Sequence, residues 1–252
     1  MLSKNDIKNI KSLEQKKFRD EKRLFVAEGH KLVEELLGVF NCVLVAGTDK
    51  WMAANRNIPA SRIETVTPDE LKRASLLRSP QDVLAVFRMP DYDTTMAQAA
   101  SQNLVLALDD VQDPGNLGTI VRIADWFGIK DIFCSRATAD IFNPKATQAT
   151  MGAISRVRIH YTDLKKEIAA LPASVPVYGT FLNGEIIYDT ELTTNGVIIM
   201  GNEGNGISPE TEKTVKRRLY IPNWPKDAAT SESLNVAIAT AIVCSEFRRR
   251  QS

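Results

Sequence analysis

From Asn103 onward, short apolar runs alternate with helical patterns, and this alternation constrains the fold more than any other feature of the chain. The runs that predict strands are residues 104–108, 132–134, 177–182, 196–200 and 219–222. The patterns that predict helices are residues 115–127 and 234–247. Apolar strands that alternate with helices are typical of a mostly parallel α/β sheet covered on both faces. In such sheets, ligands bind at the carboxyl ends of the strands.

Residues 1 to about 90 show a second, smaller α/β pattern. Strands are predicted at residues 43–46, 63–66 and 83–87, and helices at residues 30–37, 51–55 and 68–74. The polar segment 93–102 has no strong period and is therefore the predicted linker. We expect a small domain at residues 1–92, a linker at 93–102 and a larger domain at 103–252.

The formal net charge of +1 gives the whole chain no electrostatic attraction to nucleic acid, so any such binding must come from a local basic surface. One candidate is the amino-terminal run of Lys4, Lys8, Lys11, Lys16, Lys17, Arg19, Lys22 and Arg23. Acidic residues are interspersed in this run, which also suits an ordinary solvated helix face. A second candidate is the cluster of arginines at residues 248–250.

The three cysteines lie far apart in the chain, which argues against a disulfide framework and against a zinc ribbon. The first residues lead into polar helical sequence and not into an apolar signal segment. No run approaches the length of a membrane span. We therefore expect a cytoplasmic protein that has no membrane partner.

The segment 113–122 follows a predicted strand and opens a predicted helix. Pro114 and Gly115 mark the turn, and Asn116 is the predicted helix cap. Free backbone amides at such a helix start suit phosphate or other anions. Arg122 lies within the helix, away from its apolar stripe. The spacing alone leaves two readings open: an anion-binding segment, or a capped helix with one solvated arginine.

The glycine-rich segment 201–208 follows the strand predicted at 196–200 directly. Its glycine order does not fit the dinucleotide fingerprint, and it lacks the lysine of a phosphate-binding P-loop. Such a turn either is purely structural or allows the backbone to approach a ligand closely. Glu203 favours the second reading, because a carboxylate at a strand end can orient a hydroxyl group or a cation.

The segment 231–237 precedes the long apolar helix at the end of the chain. Ser231 or Ser233 is its predicted cap. A helix that is apolar almost all round is buried in a core or in a subunit interface. Asn235, in the first turn, therefore needs hydrogen-bond partners from the protein or from a ligand.

Three carboxylates, Asp109, Asp110 and Asp113, cluster after the strand predicted at 104–108. They have the chemistry to bind Mg²⁺, but loop and capping roles are the favoured interpretation. We therefore predict no metal site.

The three segments, in this order and at these distances, resemble the three signature motifs of the SpoU (TrmH-type) family of RNA methyltransferases. The first supplies Asn116 and Arg122, the second residues 201–204, and the third residues 233–236. The stretch from Phe18 and Arg19 to residues 25–29, with residues 79–81 later, resembles the substrate-binding domain that often precedes the catalytic one. That domain is similar to ribosomal proteins of the L30e and L7Ae type.

The resemblance implies a catalytic domain with a deep carboxy-terminal trefoil knot, a rare exception to the rule against threaded chains. It implies S-adenosylmethionine as the cofactor, RNA as the substrate and a homodimer formed through the carboxy-terminal domain. The residues that it implies for the cofactor are Thr180, Gly201, Asn202, Gly204, Ile221, Ser233 and Leu234. The chain departs from the family at Ala237, where many members carry serine.

The residues that the resemblance implies for catalysis are Asn116, Arg122, Glu203 and Asn235. Arg122 is also expected to bind RNA, as are Lys17, Arg19 and Arg23. The family arginine is often proposed as the base, but a guanidinium stays protonated, with a pKa above about 12. We therefore favour phosphate binding and orientation as the role of Arg122.

The implied reaction is methyl transfer to a ribose 2′-hydroxyl of ribosomal RNA, with transfer RNA as the second choice of substrate. Two alternatives remain. The chain could be an RNA-binding protein of this fold that has lost catalysis, although Asn116, Arg122, Glu203 and Asn235 are all present. It could also be a related knotted enzyme that methylates a base, although the asparagine–arginine pair favours ribose.

Overall fold

The computed structural model describes residues 1–225 and 231–250. The chain forms two compact units. The amino-terminal unit contains Met1–Asp91 together with Asp140–Ser155, and the carboxy-terminal unit contains Tyr92–Ala139 and Arg156–Ser252. Among the described residues, no helix is both long enough and apolar enough to cross a bilayer.

The strands, numbered in chain order, are β1 (Leu24–Glu28), β2 (Cys42–Gly47), β3 (Ile63–Thr65), β4 (Val83–Arg88), β5 (Leu104–Leu108), β6 (Asp131–Cys134), β7 (Arg158–Tyr161), β8 (Val177–Ile186), β9 (Gly196–Met200) and β10 (Arg217–Tyr220). The helices are α1 (Lys4–Ser12), α2 (Lys16–Lys22), α3 (His30–Leu36), α4 (Asp49–Ala54), α5 (Pro68–Ala74), α6 (Met96–Ala100), α7 (Pro114–Trp126), α8 (Pro144–Ala149), α9 (Leu164–Ala169), α10 (Pro209–Glu212) and α11 (Val236–Arg249). A short 3₁₀ helix, Ala153–Ser155, follows α8.

The amino-terminal unit is built on a four-stranded mixed sheet in the order β1-β4-β2-β3. Strand β4 is antiparallel to both of its neighbours, whereas β2 and β3 are parallel. Phe25 of β1 packs between Phe87 and Phe142, with ring centroids 5.6 and 4.7 Å away. Such aromatic contacts bury large apolar areas and fix the packing. The small α/β unit predicted for this part of the chain is present.

Glu28 and Gly29, in the motif shared with substrate-binding domains, hold the segment before β4. The buried carboxylate of Glu28 accepts hydrogen bonds from the Ser75 hydroxyl and from the Leu76 amide. Burial raises the pKa of Glu28, and these hydrogen bonds oppose that rise. Gly29 has a φ of 93°, and a β-carbon there would lie 2.3 Å from Oε1 of Gln81. Both residues of the motif are therefore required by the local structure.

The carboxy-terminal unit contains a six-stranded sheet in the order β10-β8-β9-β5-β6-β7. Every strand pair in it is parallel, which confirms the predicted α/β architecture. The central strands β5 and β9 are buried along their whole length. The carboxyl ends of β5, β9 and β10 are followed by the segments that the sequence singled out.

The linker predicted at residues 93–102 is wrong. Residues 96–100 form helix α6, which begins at a capping box between Thr95 and Gln98. Met96, Ala99 and Ala100 are buried in the core cluster of the carboxy-terminal unit. The apolar face of this short helix is therefore part of the domain and not part of a connection.

The predicted boundaries also miss residues 140–155, which belong to the amino-terminal unit. In this segment Asp140 accepts hydrogen bonds from the guanidinium of Arg19, and Phe142 packs on Phe25. Gly152 fits closely against Glu35, whose Cγ would lie 2.8 Å from an added β-carbon. The interactions of this segment are long-range in sequence, so no local pattern could assign it.

Candidate active site

Helix α7 begins at Asp113, whose carboxylate accepts a hydrogen bond from the Asn116 amide at 2.8 Å. The cap is therefore Asp113 and not Asn116, because an aspartate three residues earlier satisfies the free amide. Asp109 accepts a hydrogen bond from the Ser208 amide at 2.8 Å, and Asp110 accepts one from the Ser135 hydroxyl. These carboxylates hold loops, and within residues 1–225 and 231–250 no cluster of three potential metal ligands occurs.

The glycine-rich segment folds into a small closed loop after β9. The backbones of Asn202 and Gly206 exchange hydrogen bonds of 2.8 and 3.0 Å. The side-chain oxygen of Asn202 accepts from the amides of Gly204 and Asn205, and its nitrogen donates to the Asp110 carbonyl at 2.7 Å. A β-carbon at Gly201 would lie 2.2 Å from the backbone of Gly206. The loop itself therefore requires glycine at position 201.

Asn235 is the cap of helix α11, where the sequence pattern favoured Ser231 or Ser233. Its side-chain oxygen accepts hydrogen bonds from the amides of Ala237 and Ile238 at 3.0 and 3.3 Å. At Ala237, where many family members carry serine, the backbone amide is the group that is used. The capping contact leaves the side-chain nitrogen of Asn235 free to donate elsewhere.

The three motifs meet in one continuous chain of side-chain hydrogen bonds. Asn235 donates from Nδ2 to Oδ1 of Asn116 at 3.0 Å. Asn116 donates from its own Nδ2 to Oε1 of Glu203 at 2.9 Å. Glu203 also accepts longer contacts of 3.4 and 3.5 Å from the amides of Gln112 and Asp113. We call this arrangement the Asn–Asn–Glu chain; it joins three of the four residues expected to be catalytic.

Arg122 is not part of the Asn–Asn–Glu chain. It lies on α7, beyond Asn116, and its side chain is exposed. Asn116 is in the first turn of the helix and Arg122 is almost two turns further on. In the part of the chain that the structure describes, the guanidinium has no hydrogen-bond or ion-pair partner, so it is available to an anion.

A cavity of about 690 Å³ lies at the carboxyl ends of β9 and β10 and beside residues 180–183 of β8. All seven residues that the family resemblance implied for the cofactor line it: Thr180, Gly201, Asn202, Gly204, Ile221, Ser233 and Leu234. Glu203 also lines it, so the cavity adjoins the Asn–Asn–Glu chain. The position agrees with the rule that parallel sheets bind ligands at the carboxyl ends of their strands.

The cavity suits S-adenosylmethionine in size and chemistry. Its volume falls within the range of about 300–1,000 Å³ that is usual for small-molecule sites. Apolar side chains such as Ile207 and Leu219 can contact a purine ring, whereas Asn205 and Ser233 offer polar groups. At Gly204, an added β-carbon would meet no atom of the other described residues closer than 3.6 Å, so the space beside this residue is open to a ligand.

Sequence reasoning missed several residues that line the cavity. The most prominent are Phe181, Leu182, Asn183 and Glu212. The first three follow Thr180 directly in β8, so their proximity to a predicted strand end was an available signal. Glu212 ends the short helix α10 and gave no such signal.

The prediction that Arg19 binds RNA is wrong. Its side chain is buried, with 1% exposed, and is ion-paired with Asp140. Its Nη1 donates to the carbonyls of Leu13 and Glu14 at 2.8 and 2.7 Å. These contacts occupy the guanidinium within the amino-terminal unit, because a buried charge must be paired and hydrogen-bonded.

The other predicted basic contacts differ in availability. Lys17 is exposed, whereas Arg23 is exposed but pairs with Asp91. The arginines at 248–250 are engaged: Arg248 donates to the carbonyl of Phe127, and Arg249 and Arg250 bond to Glu246. The pKa of Glu246 is lowered to about 2 by the hydrogen bond from Arg249, against the effect of burial and with the help of Arg250. This cluster stabilises the end of α11.

Comparison with known proteins agrees with this geometry. Residues 103–245 match the model of the SpoU rRNA Methylase family, and residues 4–85 match the MRM3-like substrate binding domain. A Bacillus subtilis protein named 23S rRNA (guanosine(2553)-2'-O)-methyltransferase RlmP is 33% identical over 253 residues, which cover 96% of this chain and 95% of the relative.

Solved structures are similar over the full length. A structure from Porphyromonas gingivalis that is assigned to the TrmH family of RNA methyltransferases has 41% identity and a TM-score of 0.91, covering 99% of each chain. An AdoMet-bound rRNA methyltransferase from Sinorhizobium meliloti has 31% identity and a TM-score of 0.83, covering 100% of this chain and 98% of the other. The family match spans the whole Asn–Asn–Glu chain and its cavity, and the protein belongs to the SpoU rRNA methylase family.

Proposed function

We propose that this protein transfers a methyl group from S-adenosylmethionine to a ribose 2′-hydroxyl of ribosomal RNA. The observation that carries the proposal is the position of the Asn–Asn–Glu chain, which adjoins a cavity lined by every residue expected to bind the cofactor. The name of the Bacillus subtilis relative, and of relatives such as the Acinetobacter baylyi 23S rRNA (guanosine-2'-O-)-methyltransferase RlmB, supports ribosomal RNA over transfer RNA.

The bound cofactor supplies a methyl group on a sulfonium, which is already an activated electrophile. The residues of the protein must hold the ribose oxygen about 3 Å from that methyl carbon and in line with the sulfur. Asn116 and Asn235 each use one amide hydrogen within the Asn–Asn–Glu chain and keep a second one free. Those free donors are suited to orienting the ribose.

Glu203 acts in this scheme as a group that positions its neighbours. Its carboxylate accepts from the Asn116 side chain and from the amides of Gln112 and Asp113, directly before α7. A carboxylate bound in this way fixes the orientation of the Asn116 amide, because the nitrogen must face the acceptor and the oxygen must face Asn235. Glu203 therefore prepares the site before the substrate arrives.

Arg122 binds the phosphate next to the target ribose. Its guanidinium is exposed. The planar, forked donors of a guanidinium can bind two oxygens of one phosphate at once. The charge also favours loss of the hydroxyl proton, because a nearby cation stabilises the developing oxyanion. Arginine itself keeps its proton, with a pKa above about 12.

The active form is a homodimer made through the carboxy-terminal unit, whose chain carries a trefoil knot. Support for the dimer comes from large apolar side chains left exposed on α7 and α11. Trp126 is 85% exposed and Ile238 is 54% exposed. Exposed apolar groups of this size mark contact surfaces. Sedimentation of the purified protein tests whether it is a dimer. We propose the cytoplasm as the location of the protein.

Labelled methyl transfer tests the function. The protein is incubated with tritiated S-adenosylmethionine and with ribosomal or transfer RNA from cells that lack it, and the RNA is digested to nucleosides. The expected product is a 2′-O-methylated nucleoside from ribosomal RNA. Label in transfer RNA would show that transfer RNA, the second choice, is the substrate. Label on a base, or no label in either RNA, would contradict ribose methylation.

A further inference from the structure

Strand β8 leaves the sheet at the wall of the cavity. Its register with β10 pairs Arg218 with Gly179, and the next residue, Leu219, with Glu185. Residues 180–184 thus have no partner on β10 and form a bulge. Four of them, residues 180–183, line the cavity. Bulges next to ligand sites redirect side chains that a regular strand would place elsewhere.

The side chain of Arg218 holds this bulge. Its guanidinium carbon lies 3.6 Å from the centroid of the Phe181 ring, a stacked cation–π contact. Its Nη2 donates to Oδ1 of Asn183 at 2.6 Å, and Nη1 donates to Glu212. A β-carbon at Gly184 would lie 2.7 Å from the Arg218 carbonyl oxygen, so the bulge can return to the sheet only at a glycine.

The Phe181 ring also packs against the core. A β-carbon on Gly179 would lie 2.7 Å from Cε2 of that ring, and Phe181 joins the core cluster of the carboxy-terminal unit. The ring is therefore held by the core and by the guanidinium, and it presents a fixed apolar surface to the cavity. Removing the guanidinium would leave the ring held by the core alone and Glu212 without its ionic partner.

Arg218 also determines what Asn183 offers to a ligand. A guanidinium can only donate hydrogen bonds, so the side-chain oxygen of Asn183 must face it. The side-chain nitrogen of Asn183 remains as a donor in a residue that lines the cavity. Without Arg218, the Asn183 amide could rotate and present its oxygen, an acceptor, to the cavity in place of its nitrogen.

We propose that Asn183 binds S-adenosylmethionine by donating from Nδ2 to an acceptor atom of the cofactor, and that Arg218 is the positioning residue that orients Asn183 and fixes Phe181. The proposal rests on the proposed function, because it takes the cavity as the cofactor site. It adds a binding residue and a structural support that the motif residues do not include.

Calorimetric titration of the full-length protein with S-adenosylmethionine and S-adenosylhomocysteine tests both roles. Asn183→Asp keeps and strengthens the contact with Arg218, but it replaces the donor with an acceptor. S-adenosylhomocysteine lacks the sulfonium charge, so its affinity is free of attraction between that charge and the new carboxylate. We expect the Kd of S-adenosylhomocysteine to be about tenfold higher for Asn183→Asp than for the parent protein, which corresponds to the loss of roughly one hydrogen bond.

The variant Arg218→Ala should raise the Kd of both ligands and the KM for the cofactor about tenfold, with kcat at saturating cofactor within about twofold of the parent enzyme. Arg218→Lys should recover only part of the affinity, because lysine retains the charge but not the planar stack. The matched control is Arg217→Ala, since Arg217 bonds to Glu185 and to the Glu191 carbonyl outside the cavity. Its Kd should be unchanged.

The possible results distinguish a failure of the roles proposed for Asn183 and Arg218 from a failure of the proposed function. If the parent protein binds neither ligand, the proposed function fails. If the parent binds and Asn183→Asp retains full affinity for S-adenosylhomocysteine, Asn183 is not a donor to the cofactor. If Arg218→Ala and Arg217→Ala bind equally well, or if Arg218→Ala lowers kcat and leaves KM unchanged, Arg218 does not position the cofactor.

Discussion

Asn235 donates a side-chain hydrogen bond to Asn116 at 3.0 Å, although the two residues lie 119 positions apart in the chain. Each belongs to the start of a different helix, Asn116 to α7 and Asn235 to α11. The bond therefore connects two helix amino termini, and Glu203 extends the connection to the loop after β9. Since every member already has a protein partner, the site is largely ordered before RNA binds.

The variant Asn116→Asp should reduce methyl transfer by about a hundredfold, because a carboxylate in place of the amide would repel Glu203 and lose the donor. Cofactor affinity should change little, since Asn116 does not line the cavity. Single-turnover methylation and calorimetry measure the two quantities. Asn103→Asp, an exposed position in the same unit, is the matched control. Equal rates in the two variants would exclude Asn116 from the reaction.

The variant Arg122→Ala should weaken RNA binding about tenfold. The slope of the logarithm of the binding constant against the logarithm of the salt concentration should also fall by about one, because one fewer phosphate contact releases about one fewer counterion. Arg122→Lys should retain part of the affinity, because lysine keeps the charge. Lys130→Ala, at an exposed position directly before β6, should behave like the parent. Binding measured over a range of salt concentrations checks this. A large change in the pH dependence of the single-turnover rate would instead assign a proton-transfer role to Arg122.

The pair Gly204→Ala and Gly201→Ala should separate ligand contact from loop structure. At position 204 the protein leaves room for a methyl group, so stability should be retained while cofactor affinity falls. At position 201 the methyl group would collide with the backbone of Gly206, so the loop itself should be disrupted. Thermal unfolding and calorimetry distinguish the two effects. Full cofactor affinity in folded Gly204→Ala would mean that the ligand does not approach this residue.

The variant Arg19→Ala should lower the free energy of unfolding by about 3 kcal/mol, because it leaves the carboxylate of Asp140 and two carbonyls without their donor. Lys17→Ala, on the exposed face of the same helix, should change it by less than about 0.5 kcal/mol. Urea unfolding measures both. Similar values for the two variants would contradict a structural role for Arg19.

The parts of the fold that the sequence predicted well are those with local signals. Continuous apolar runs identified β5, β6, β8, β9 and β10 and the parallel sheet, and the same reading gave helices α7 and α11. Strand β7 was not predicted because Arg158 and His160 interrupt its apolar pattern, and the short helices α8 and α9 were also missed. Helix α6 had a usable signal in the spacing of Thr95 and Gln98, which form its capping box.

The features that the sequence could not supply are long-range. A lysine- and arginine-rich run gives no indication that one member, Arg19, is buried against Asp140, which lies 121 positions later. The bulge of β8 is equally hidden, because it depends on the register with β10 and on the side chain of Arg218. The site residues themselves were predicted through the family resemblance, since their spacing alone allowed structural roles.

A crystal structure of the protein with S-adenosylhomocysteine would test whether three distant segments build one cofactor site beside Asn116, Glu203 and Asn235. We expect the ligand in the cavity beside residues 180–183 of β8 and the ends of β9 and β10, in contact with Gly201 and Leu234. A ligand bound elsewhere on the carboxy-terminal unit, with this cavity empty, would contradict this expectation.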